Sequence, residues 1–259
     1  MIDFLDEEKY PIFCYTNFKT INYSRDLNYY HNIHHIHNML KLAYKDVEYI
    51  KSITDVDAFI TAIAFHDIVY SMKRDDNELA SAKLFEQTYD YVFKNNADQF
   101  GKFASEEKKK LVFDLILSTK FGSNIITEAE KLLHDYDYIT FSNKSEMILA
   151  DKQILNEGLR DGYNFTYIVA KRFEFYKYLY DNANKTGRFF LTDKYSHLNE
   201  IALNNIKEYL GEWKKILLQK HWNSFLILKI YYLNCRNRYI FVIWKIHSIW
   251  IYQKHYRLI

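Results

Sequence analysis

Three short clusters in this sequence hold side chains that could bind a metal ion. The first is His31, His34, His35 and His37, four imidazoles within seven positions. If that stretch is helical, His31 and His35 lie one turn apart on the same face, offering two ring nitrogens to one site. The second is the adjacent pair His66-Asp67, which interrupts the apolar run from Ala62 to Tyr70. An ionised aspartate in such a setting costs several kcal/mol, roughly, unless it is paired or coordinates a cation. The third is His134-Asp135-Tyr136-Asp137, where carboxylates two residues apart on a helix point in different directions, so one of the two is expected to be a ligand. Each cluster also has a plainer reading: a polar histidine-rich helix, a buried His–Asp hydrogen-bonded pair, and solvated acids near a helix end.

The elements expected to position these residues are helices. Ile60, Ile63, Ala64 and Ile68, then Leu111, Leu115 and Ile116, repeat at three- and four-residue intervals. Six glycines and one proline in 259 residues are too few for a turn-rich sandwich or a doubly wound sheet. The fold class is therefore all-α. A leader at 1–23, broken at Pro11, is followed by a helix expected at 26–50. Thr54 with Asp57 resembles a capping box opening the run 58–70, and a polar loop follows at 71–77. Further helices are expected at 78–94, 106–119, 128–140, 145–158, 163–182 and 195–213. Ser105 and Thr127 stand at N-cap positions, and Gly187-Arg188 forms a turn.

Charge is unevenly distributed. The net +2 conceals a body, residues 1–212, with 26 basic and 33 acidic residues, and a stretch 213–259 with nine basic residues and no acidic one. All four tryptophans (Trp213, Trp222, Trp244 and Trp250) fall in the latter. An acidic body lacks the clustered cations of a nucleic-acid surface. Lys229 and Lys245 interrupt the apolar clusters of the basic stretch before they reach the roughly 18 residues of a membrane span. That stretch reads as a helical extension, an interfacial membrane element or a frame-shifted tail. Cys14 and Cys235 have no metal or disulfide spacing, and the acidic opening is unlike a signal peptide, so a cytoplasmic setting is expected.

Over about residues 22–210 the sequence resembles the HD superfamily of metal-dependent phosphohydrolases. Within it, the chain is similar to a group known as predicted HD-superfamily metal-dependent phosphohydrolases. The resemblance rests on an ordered set: Tyr30-His31-Asn32-x-x-His35, Phe65-His66-Asp67-Ile68-Val69-Tyr70, Asn77-Glu78 with Ser81, Ser118-Thr119-Lys120, Asp135-x-Asp137, Arg172-x-Glu174, Gly187-Arg188, and Asn205-Ile206 before Glu208. It implies an HD-domain-like helical bundle with a basic, Trp-rich C-terminal extension. It also implies metal ligation by His35, His66, Asp67 and Asp137, with Asp135 as a supporting residue or the substitute ligand. His31 would be a general acid or phosphate contact, as in the related cyclic-nucleotide phosphodiesterases, and Glu78 would orient water or a histidine. Lys120, Arg172 and Arg188 would meet phosphate charge. The chain departs from the group at Asn28, where an arginine is usual and Arg25 is a substitute one turn earlier. It departs again at Phe121, where a histidine commonly follows the Thr-Lys pair.

Two imidazoles and two carboxylates suit one divalent Mn, Fe, Co, Ni or Zn ion, with Mg as a further candidate. Such an ion lowers the pKa of water for attack on phosphorus. The resemblance thus implies hydrolysis of a phosphate ester or nucleotide bond in a small phosphorylated substrate. The rival readings are a silent nucleotide-binding module and a helical interaction protein with structural metal or His–Asp pairs.

Overall fold

The computed structural model describes residues 4–20 and 28–218. Among them there are eleven α-helices and no strand. These are α1 (Pro11–Thr20), α2 (Ile33–Lys45), α3 (Val47–Ile53), α4 (Val56–Phe65), α5 (Asn77–Tyr89), α6 (Ala97–Phe100), α7 (Glu106–Ser118), α8 (Glu128–Asp137), α9 (Lys144–Arg160), α10 (Phe165–Thr186) and α11 (Asn199–Leu218). The chain divides at Lys207–Glu208 into two units, inside α11. Everything that follows about the site belongs to the first. Of the second, Tyr209 and Trp213 pack edge to face at 5.8 Å, and residues 219–259, with most of the basic stretch, lie outside the described residues. Arg25 lies outside them as well.

α4 is the centre of the first unit. All ten of its residues are buried, which requires apolar surface on every side, and it packs against α1, α2, α3, α5, α7 and α8. α9 and α10 form a second pair. Their approach depends on Gly158, where a Cβ would stand 2.8 Å from both Ile168 Cδ1 and Met72 Sδ. α10 ends at Gly187, whose φ of +76° is the left-handed conformation that closes a helix without steric cost.

Local capping explains where the expected boundaries hold and where they move. Ser105 caps α7, and Thr127 with Glu130 forms a complete capping box on α8. Pro11 begins α1 instead of breaking a helix, since the missing N–H costs nothing in the first turn. The Thr54/Asp57 box does not form: Asp55 caps α4 through Ala58 N–H, and Asp57 reaches α1. There its carboxylate accepts from Ile12 N–H at 3.0 Å and Phe13 N–H at 2.8 Å. The helix expected at 26–50 starts at Ile33, because the Asn32 side chain accepts from His34 N–H, and it breaks at Asp46. The run 58–70 stops being helical after Phe65. The last turn of the expected 78–94 helix is a π-helical segment, Asp90–Lys94. Among the described residues, no helix is long and apolar enough to cross a membrane.

Candidate metal centre

The site lies where α2, the end of α4 and the end of α8 meet. His35 lies on the buried face of α2, His66 is the C-cap of α4, and Asp137 is the last residue of α8. Their ligand atoms all fall within 4.8 Å of one another, so the three form a group that could hold a metal ion. Asp67 stands beside them, with Oδ2 3.0 Å from His66 Nε2 and 3.6 Å from His35 Nε2. Asp137 Oδ1 is 3.1 Å from His35 Nε2.

Two features fit these residues to a cation. His66 Nδ1 donates to the Ile63 carbonyl at 2.8 Å, which fixes the tautomer and leaves the Nε2 lone pair facing the carboxylates. Both Nε2 atoms, on His35 and His66, are buried and make no aligned hydrogen bond. Buried polar atoms normally find partners, so two orphaned nitrogens side by side call for an acceptor of their lone pairs. The electrostatics agree. Burial disfavours the charged imidazole of His66, yet Asp67 outweighs it and holds the pKa up to about 9, so in the absence of an ion a proton on Nε2 takes the place a cation would fill. Burial likewise opposes ionisation of Asp67 and Asp137, but the neighbouring imidazoles hold both below the usual carboxylate range. The pocket favours positive charge.

His31 is not on α2. It precedes the Asn32 cap, so the shared helical face expected for His31 and His35 does not exist. It is held instead by Glu157 of α9, a residue the sequence reading missed. Glu157 is fully buried; its Oε2 accepts from His31 Nδ1 at 2.6 Å and its Oε1 from the Tyr30 and His31 N–H groups at 2.7 and 3.0 Å. The ring of Tyr70 stacks on His31 at 3.5 Å between centroids. Burial works against protonation of His31, but Asp67 and Glu157 raise its pKa above the ordinary value. One available signal was the apolar stripe of α9. Asp151 falls four residues after Met147 and Glu157 seven after Ala150, so both acids interrupt it.

A cavity of about 220 Å³ opens on this group, lined among others by His31, His66, Asp67, Glu78, Asp137 and Arg172. Arg172 Nε donates to the buried Asp151 at 2.6 Å, and its guanidinium lies 4.6 Å from the Phe175 ring. The other two predicted phosphate contacts are elsewhere. Lys120 donates to the Asp75 carbonyl and does not line the cavity. Arg188 is bound to its own loop through the Leu191 carbonyl and Asp193, also outside the lining. Asp135 is fully buried and accepts from Leu191 N–H, Thr192 N–H and the Thr192 hydroxyl, so it is not part of the ligand group. Asn28 accepts from the Arg160 guanidinium. No family model, curated protein or solved structure matches the chain.

Proposed function

We propose that this protein is an HD-type, metal-dependent phosphohydrolase acting on a small phosphorylated substrate. The observation that carries the reading is the pair of buried, unbonded imidazole nitrogens converging with Asp137 and Asp67 beside a cavity. His35, His66 and Asp137 would hold one divalent ion, with Asp67 as the fourth ligand; mixed nitrogen and oxygen donors suit Mn, Fe, Co, Ni or Zn, with Mg also a candidate. When bound, such an ion supplies Lewis acidity, polarising a phosphoryl oxygen and acidifying water.

The chain's own residues supply the rest. Glu157 binds the Nδ1 proton of His31 and, with Asp67, favours the imidazolium, whose second proton, on Nε2, would pass to the leaving oxygen. Arg172, pre-set by Asp151, attracts the phosphoryl charge. Glu78 lines the cavity and would orient the attacking water. The rival reading is a structural one, in which the 3.0 and 3.1 Å His–carboxylate contacts are ion pairs with no metal. Release of phosphate from a panel of phosphorylated metabolites, with Mn, Co, Ni, Zn or Mg added, separates the two. Turnover that needs the metal and disappears in His66→Ala supports the hydrolase. Full turnover in a metal-free His66→Ala protein contradicts it.

A further inference from the structure

Seven of the eighteen residues lining the cavity are Phe or Tyr, far more ring surface than holding a phosphoryl group requires. Most of these rings have structural work. Tyr70 stacks on His31, Tyr138 stacks on His134, and Phe141 packs on Tyr176 and Phe189. Phe121 is different. It sits in the loop between α7 and α8, is 49% exposed, and lies outside the main hydrophobic core. The loop turns at Gly122, whose φ of +81° is a left-handed conformation with open space around it. Phe121 is held at the cavity by the rings of Phe175, 5.2 Å away, and Tyr178, 5.0 Å away. A large apolar ring left half in water at the wall of the cavity gains burial when a flat apolar group enters.

The same wall carries the cavity's guanidinium. Arg172 packs against Phe175 at 4.6 Å and against Tyr176 at 5.3 Å, so the group that attracts phosphate is flush with the aromatic surface. A ligand that joins a planar ring to a phosphoryl group through a short connection matches both features at once. A bare sugar phosphate or inorganic phosphate matches only one.

We infer that Phe121, braced by the tilted ring of Phe175, forms a stacking wall that selects phosphate monoesters bearing a planar aromatic ring, so that Phe121 is a specificity-determining residue. The phosphate half of this inference rests on the proposed hydrolase reading; the ring half rests on the wall alone. A nucleoside 5′-monophosphate and an aryl phosphate share the required chemistry, and they differ in whether a sugar separates ring and phosphate.

The test uses the full chain loaded with Mn²⁺ and follows both equilibrium binding, by calorimetry, and phosphate release. The probes are a nucleoside 5′-monophosphate, phenyl phosphate and ribose 5-phosphate. At least one ring-bearing probe is expected to bind roughly 5- to 100-fold more tightly than ribose 5-phosphate, the range that stacking of one base on an aromatic side chain supplies. Which of the two binds better identifies the source of the ring. In Phe121→Ala that ratio is expected to fall toward one, and Phe121→Trp is expected to preserve it. Equal binding of ring-bearing and ring-free probes, or an unchanged ratio in Phe121→Ala, overturns the inference. The two proposals fail differently. Ring-selective binding without phosphate release from any probe sinks the hydrolase and leaves the stacking wall. Equal turnover of all three probes does the reverse.

Discussion

Asp135 and Asp137 leave the same end of α8 two residues apart, and their lone pairs serve different purposes. Asp135 is fully buried and saturated: two backbone N–H groups and a hydroxyl, from Leu191 and Thr192, tie the loop after α10 to α8. Asp137 is partly exposed to the cavity and faces His35, and it belongs to a group in which two nitrogens lack hydrogen bonds. Asp57 and Asp46 follow the first pattern. Asp57 caps α1, and Asp46 accepts from the hydroxyls of Tyr136 and Tyr195 and pairs with Lys194. Burial of a carboxylate therefore does not mark a ligand in this molecule. What distinguishes the candidate metal centre is that its imidazoles and carboxylates converge on one another and two of its nitrogens lack hydrogen bonds.

The largest effect expected from this contrast is on Asp137. Asp137→Asn should lower metal-dependent turnover by more than about a hundred-fold, beyond the range seen when only supporting contacts are lost, while thermal stability changes little. Asp135→Ala should do the opposite. It strands two N–H groups and a hydroxyl, so denaturant unfolding is expected to show a loss of about 3 kcal/mol, with metal still bound by the folded fraction. Comparable stability loss in both variants would erase the distinction.

Glu157→Gln sharpens the second border of the site. It should keep the metal and lower turnover about ten- to a hundred-fold. Because Glu157 helps hold His31 protonated, the high-pH limb of the rate profile should move to lower pH. A merely structural role would leave that limb in place.

The smallest effect concerns Asp57. Burial pushes its carboxyl up to about 6 from an ordinary 3.8, against the opposing pull of the Phe13 and Ile12 N–H groups. A carboxyl whose pKa is raised on folding binds its proton more tightly in the native state. Its contribution is therefore fully present below about pH 4 and is lost as pH rises through about 6. Asp57→Asn should remove that part of the pH dependence of stability and cost about 1 kcal/mol through the weakened cap. An unchanged slope between pH 4 and 6 would mean that the carboxyl titrates normally.

Much of the frame was legible in the sequence because its causes are local. Periodic apolar residues mark α4 and α7, and Ser105 and Thr127 mark helix starts, since a cap needs only three neighbouring residues. The candidate ligands were legible for a related reason: His66-Asp67 is polar where its neighbours are apolar. What the sequence hid depends on distant partners. The spacing of His31 and His35 suggests one helical face because the competing bond, from the His34 N–H to the Asn32 side chain, is a side-chain choice. Its true partner, Glu157, is 126 residues away. Asp57 was placed in a local box because its role at α1, 45 residues earlier, has no signature in the spacing. The motif runs around Lys120 and Arg188 likewise give no sign that each donates to a carbonyl outside the cavity lining.

The most direct test of the central claim is the metal content of the purified full chain and of two single variants, measured by elemental analysis after equilibration with Mn²⁺ and removal of excess ion. One equivalent is expected in the unmodified protein and in Asp135→Asn, and far less than one in Asp137→Asn. Absence of stoichiometric metal from the unmodified protein, or its full retention in Asp137→Asn, would contradict the assignment of His35, His66 and Asp137 as a metal centre.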